Sequence, residues 1–137
     1  MQASESGVQA AIGYAVGPRG LGLAYARLAG SGAPRVVRLA FRTIPRAGCA
    51  RAGGYAALSA VARALRDRGF DHLRFVLNDA ELVDEIAKRR EPPETLALAY
   101  VRLRCVLNSL ASCSVVAGAT DDLTQRARAE VALNLAA

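Results

Sequence analysis

The stretch Gly53–Arg90, GGYAALSAVARALRDRGFDHLRFVLNDAELVDEIAKRR, decides how the chain folds. Leu58, Val61, Ala62 and Leu65 recur at helical spacing, which predicts a helix from about Tyr55 to Arg68 with one apolar face. Gly69 supplies the left-handed residue that ends such a helix. His72–Leu77 is a short apolar run of the kind that forms a buried strand. Asn78 and Asp79 are helix-starting residues, and Leu82, Val83 and Ile86 resume the helical spacing, with Lys88-Arg89-Arg90 closing the second helix. A helix feeding a buried strand feeding a helix implies parallel strands with helices packed on the sheet. Asn78-Asp79 then falls at the carboxyl end of a strand, where such folds place their chemistry.

Working outward, three strands precede this unit. Val8–Val16 and Leu21–Leu28 flank the turn Gly17-Pro18-Arg19-Gly20, and a second turn over residues 30–34 leads to a third strand over Arg35–Ile44. Val37, Leu39, Phe41 and Thr43 alternate there with Val36, Arg38, Ala40 and Arg42, the pattern of a half-exposed strand. Short connections make these three an antiparallel meander. Pro45–Gly54 reads as a loop carrying Arg46 and Arg51. After Arg90, Glu91-Pro92-Pro93 ends the second helix. A third helix is expected from Glu94 to Leu110 along Leu96, Tyr100, Leu103 and Leu107, a fifth strand over Ser112–Ala119, and a last helix capped by Thr120 or Asp121 with Leu123, Ala127, Val131 and Leu135 in register. The fold class expected is therefore α/β, with one domain over 1–137 and a loose lead over 1–7.

Composition narrows the function classes. Hydrophobic residues make up 53% of the 137, enough for a real core, yet no apolar run is long enough to span a bilayer. The start MQASES has no basic region leading into an apolar one, so no signal peptide is expected and the cytoplasm is the simplest location. Cys49, Cys105 and Cys113 lack the spacing of a zinc site and read as reduced, buried thiols. The net charge of +6 favours a polyanionic partner. Only Lys88 among the basic residues is lysine, and that bias toward arginine also suits a GC-rich genome. His72 stands alone, and Ser59, Ser109 and Ser114 lack the context of a hydrolase nucleophile. The glycines at Gly17-Pro18-Arg19-Gly20 sit in a hairpin, a poor phosphate loop.

The order of elements, with its local words, resembles the ribonuclease H family. Members often carry Ala-Glu-Tyr-x-Ala-Leu at a helix start, where this chain has Gly53-Gly54-Tyr55-Ala56-Ala57-Leu58. They have Asp-Ser-x-Leu-Val after a strand, where this chain has Asp79-Ala80-Glu81-Leu82-Val83, and Ala-Asp-x-Leu-Ala in the last helix, where it has Arg128-Ala129-Glu130-Val131-Ala132. The resemblance implies a meander extended by parallel strands. In active members it also implies several carboxylates holding two divalent metals that activate water. Two such ions repel by roughly 17 kcal/mol at about 4 Å and an effective dielectric of about 20, so clustered carboxylates have to offset that.

This chain departs at the positions that matter. Gly13-Tyr14 occupies the first-strand position, Gly54 the helix-start glutamate and Ala129 the last-helix aspartate, beside Glu130. Asp79 alone remains, and no Asp or Glu occurs between Glu5 and Asp67. Asp79 is read as a catalytic remnant whose bland role is to cap the second helix in a capping box, Asn78-Asp79-Ala80-Glu81. Glu81, Asp84 and Glu85 are read as solvated, and Asp121 and Asp122 as suited to a helix amino end. The expectation is a catalytically inactive ribonuclease H-like protein that binds duplex or RNA/DNA hybrid through Arg46, Arg51, Lys88, Arg89 and Arg90. It needs no metal or cofactor. The alternatives are an active nuclease with a site rebuilt around Asp79 and using Mg²⁺ or Mn²⁺, and a protein-interaction scaffold that forms a homodimer or holds a protein partner.

Overall fold

The computed structural model describes residues 7–30, 32–43 and 50–136. Its elements are β1 (Val8–Val16), β2 (Leu21–Ala29), β3 (Arg35–Arg42), α1 (Ala50–Asp67), β4 (His72–Leu77), α2 (Ala80–Ile86), α3 (Ala97–Asn108), β5 (Ser112–Ala117) and α4 (Asp121–Ala136), with a 3₁₀ turn at Glu94–Leu96 leading into α3. The strands form one sheet in the order β3-β2-β1-β4-β5. β1 pairs antiparallel with β2 and parallel with β4, β2 pairs antiparallel with β3, and β4 pairs parallel with β5. The meander extended by parallel strands is therefore present, and β1 is the central strand that joins its two halves.

The strand period of two divides the core between the faces of the sheet. Val8, Ala10 and Ile12 of β1, Ala24, Ala26 and Leu28 of β2, and Leu73, Phe75 and Leu77 of β4 join the α1 residues Leu58, Val61, Ala62 and Leu65 in the larger cluster. α3 packs on α1 and adds Leu103, Val106 and Leu107. On the opposite face, Leu123 and Ala127 of α4 pack with Tyr25, Ala11 and Ala15. α4 sits so close that a Cβ on Gly13 would lie 2.3 Å from the Thr124 backbone nitrogen. The hairpin turn also follows the sequence. The Gly20 amide donates to the Gly17 carbonyl at 3.1 Å, and Gly20 takes φ 78°, as in a type I turn closed by a left-handed glycine.

Several boundaries differ from the expectation. α1 includes residues 50–54, which the sequence reads as loop. Gly53 and Gly54 lie in its first turns because β1 approaches there: a Cβ on Gly53 would meet Val16 Cγ2 at 2.7 Å. Each glycine weakens an isolated helix by about 1 kcal/mol, which packing against the sheet offsets. α2 ends at Ile86, not at Arg90. The Arg89 amide reaches the Asp84 carbonyl at 2.8 Å and the Lys88 amide the Glu85 carbonyl at 3.2 Å, a Schellman closure with Lys88 at φ 65°. β3 stops at Arg42 and β5 at Ala117. Cys105 is exposed rather than buried, Cys113 is partly buried, and Cys49 lies outside the described residues. Among the described residues no helix is long and apolar enough to cross a membrane.

Gly13→Ala is expected to lower stability by about 1–3 kcal/mol, because helix backbone has to move away from the sheet. A shifted urea midpoint checks this, and an unchanged midpoint means that α4 is not seated on β1 as described.

Candidate functional site

β1, β3 and β4 run in the same direction, so their carboxyl ends share one end of the sheet, joined there by the amino ends of α1 and α2. Tyr14, Gly54 and Asp79 meet at this end. Tyr14 projects from β1 toward α1, and a Cβ on Gly54 would lie 2.7 Å from both Tyr14 Oη and Leu82 Cδ2. The phenol therefore fills the space that a longer side chain at position 54 would need. Burial, followed by the nearby Asp79 carboxylate, pushes the Tyr14 phenol from its ordinary 10.0 up to about 12. It stays a neutral donor across the physiological range.

Asp79 has the capping role. It takes the extended N-cap conformation, and its Oδ1 accepts from the Leu82 amide at 3.1 Å. The capping box does not close as expected. Glu81 forms an ion pair with Arg90 at 2.9 Å, and Asn78 Nδ2 donates to Asp121 Oδ1 at 2.7 Å. Glu130 lies in another network altogether. It accepts from Tyr25 Oη and from Arg38, whose Nε is 2.7 Å away. Arg126 stacks over the Tyr25 ring at 4.5 Å, and Arg27 pairs with Asp122. These interactions fasten α4 to β2 and β3. Thr120, the other expected cap, has a buried hydroxyl without a hydrogen-bond partner among the described residues, although its carbonyl accepts from the Thr124 amide at 3.0 Å.

Glu85 departs most from the sequence reading: it is fully buried rather than solvated. Its Oε1 accepts from Tyr55 Oη at 2.7 Å, and its Oε2 pairs with Arg51. The mismatch has a simple cause. α2 is seven residues long, and Glu85 falls on the same side as Leu82 and Ile86. A carboxylate there is tolerable only if paired and hydrogen-bonded. Burial, then the Glu85 hydrogen bond and charge, hold the Tyr55 phenol far above its ordinary range, with Arg51 opposing.

Of the basic residues singled out in the sequence, Arg51, Lys88, Arg89 and Arg90 converge around Glu85. The last three line a shallow open depression with Glu85, Glu91, Pro92 and Tyr100. Arg46 lies outside the described residues. Arg51, Arg89 and Arg90 are each paired with an acid: Glu85, Asp84 and Glu81 respectively. Two cations that the sequence reading passed over share the sheet end with Tyr14. Arg42 lies opposite Leu21, and Arg19 sits in the turn just before it. Both are exposed, with no acid within ion-pair reach among the described residues. The signal that could have found them is the acid-free run from Glu5 to Asp67. His72, alone in the sequence, gains a partner in space, with Nδ1 2.7 Å from Ser112 Oγ.

The sequence matches no protein-family model and no curated protein. The fold is similar to solved structures. RNase H1 from the halophilic archaeon Halobacterium salinarum NRC-1 is 25% identical, with a TM-score of 0.69 over 90% of this chain and 92% of that one. The N-terminal RNase H domain of a Mycobacterium tuberculosis protein, solved as a fusion with maltose binding protein, is 12% identical, with a TM-score of 0.67 over 96% and 99%. LC11-RNase H1 in complex with an RNA/DNA hybrid is 14% identical, with a TM-score of 0.62 over 89% and 91%. The architecture is thus α/β of the ribonuclease H type. By its fold this chain is a ribonuclease H-like protein.

Two divalent cations do not fit the groups gathered at Asp79. One carboxylate, already accepting from the Leu82 amide, stands beside a protonated phenol and a glycine. Hard cations take several oxygen ligands. Among the described residues no three His, Cys, Asp or Glu side chains group closely enough to hold a metal ion.

Two outcomes follow for stability. Arg51→Gln is expected to lose about 3 kcal/mol, because Glu85 would be left buried with a lone charge; a binding arginine on the surface would lose almost none, and urea unfolding separates the two. The second outcome concerns pH. The hydrogen bond from Arg27 holds Asp122 below its ordinary 3.8, and those from Arg38 and Tyr25 hold Glu130 below its ordinary 4.5. The unfolded chain binds these protons more readily, so the stabilisation is present above about pH 4.5 and is lost as pH falls below 3.8 toward the folded values. Unfolding midpoints between pH 6 and pH 3 are expected to fall less steeply in Arg38→Gln than in the parent chain.

Proposed function

We propose that this protein binds an RNA/DNA hybrid or a related duplex without cutting it. The observation that carries the reading is the occupation of the sheet end. Tyr14 fills the space beside Gly54, and Asp79, the remaining carboxylate, caps α2. A hydrolytic centre built on paired cations lacks its ligands in that arrangement. The fold, the net charge of +6 and the likeness to a ribonuclease solved with a hybrid support binding. The binding residues proposed are Arg46, Arg51, Lys88, Arg89 and Arg90, joined by Arg19 and Arg42 at the sheet end. Among the described residues Lys88, Arg19 and Arg42 have no acid within ion-pair reach, while the paired arginines contribute directed donors.

One observation favours a protein-interaction scaffold as a second reading. Leu98 and Val101, one turn apart on α3, are 62% and 55% exposed beside the exposed Cys105. An apolar stripe of this size suits a transient association.

Fluorescence anisotropy with a labelled hybrid tests the binding reading. Affinity is expected to fall linearly on logarithmic axes as salt rises. Lys88→Ala combined with Arg19→Ala and Arg42→Ala is expected to reduce that slope by about one unit for each phosphate no longer neutralised. The hybrid is expected to remain intact with Mg²⁺ or Mn²⁺. Cleavage that disappears in Asp79→Asn would instead establish a working nuclease.

A further inference from the structure

Binding through arginines leaves the centre of the surface unexplained. A backbone phosphate drawn to the sheet end by the exposed Arg19 and Arg42 meets the negative charge of Asp79 there, which opposes it. The groups around Asp79 do not suit bound cations, so this repulsion has to be met by a fixed donor. Tyr14 is placed to be that donor. It is half-buried, its ring is braced where Gly54 leaves room, and no hydrogen bond from its hydroxyl is found among the described residues. Its neighbours on β1 are held tightly, since Gly13 is pressed by α4 and Ile12 is 1% exposed in the core. A hydroxyl carried on so fixed a strand is oriented before any ligand arrives, which reduces the loss of freedom on binding.

Resting on the binding reading above, we infer that Tyr14 touches the nucleic-acid backbone directly, donating its hydroxyl to a phosphate oxygen at the sheet end beside Asp79. Nothing is transferred and no bond is broken. Tyr14 is a binding residue, and its neutral phenol adds a donor without adding to the negative charge of Asp79. The consequence is specific: affinity for the hybrid does not depend on divalent cations.

The experiment is anisotropy of a labelled RNA/DNA hybrid at about 50 mM salt, in EDTA and in Mg²⁺, with the intact chain and with Tyr14→Phe. The phenyl ring keeps the packing against Gly54, and an unchanged urea midpoint verifies that the fold is intact. The parent chain is expected to bind equally in EDTA and Mg²⁺. Tyr14→Phe is expected to bind about 10- to 100-fold more weakly, the loss of one hydrogen bond to a charged acceptor. Its salt slope is expected to stay the same, because no charge has been removed. A parent chain that binds while Tyr14→Phe binds equally well overturns this inference and leaves the binding reading standing, as does a parent affinity that Mg²⁺ raises several-fold. A parent chain that binds no hybrid in either buffer removes the binding reading and this inference with it.

Discussion

β1 is squeezed from both faces at neighbouring residues, and the arrangement of the sheet end follows from that squeeze. Gly13 admits the backbone of α4 to within 2.3 Å of where its Cβ would stand, and Tyr14, pointing the other way, reaches Gly54 of α1. Adjacent residues of a strand face opposite sides, so one dipeptide sets the seating of two helices. A larger residue at position 13 displaces α4, and a larger residue at position 54 displaces the phenol. Tight packing of this kind makes the two positions interdependent with their partners.

Several carboxylates that meet another element are likewise paired. Glu85 is buried with Tyr55 and Arg51, linking the first turn of α1 to the end of α2. Glu130 and Asp122 link α4 to β2 and β3 through Arg38, Tyr25 and Arg27. Glu130, which the sequence comparison sets beside the last-helix catalytic position, is thus used in a pair that holds α4 in place. Arginine suits this work, because its planar fork can serve a carboxylate with two donors at once. Part of the arginine content therefore has a structural use, independent of any ligand and of genome composition.

Charge is distributed unevenly along the chain. The segment up to Asp67 is free of acids after Glu5, and the acids of α2 neutralise Arg51, Arg89 and Arg90. The uncompensated cations Arg19 and Arg42 lie at the same end of the sheet as Tyr14 and Asp79. A polyanion approaching that end meets positive potential from the hairpin and β3, with a neutral donor at its centre.

The periodicities of Leu58, Val61, Ala62 and Leu65, the apolar run His72–Leu77 and the left-handed Gly69 determined the helix–strand–helix unit, and the alternation in the first three strands determined the meander. These are local patterns, and local backbone geometry answers to them. The scarcity of carboxylates was equally legible, because no Asp or Glu occurs between Glu5 and Asp67. Only the tertiary structure decided that α1 starts before Gly53-Gly54, that Glu85 is buried, and that Arg51 belongs to it. It also decided that Tyr14, rather than empty space, stands beside Asp79. The physical reason is the same in each case. A glycine's use, a carboxylate's burial and an arginine's partner depend on what another element brings against them, over separations of 30 residues or more for Arg51 and Tyr55 with Glu85, and no local spacing encodes that.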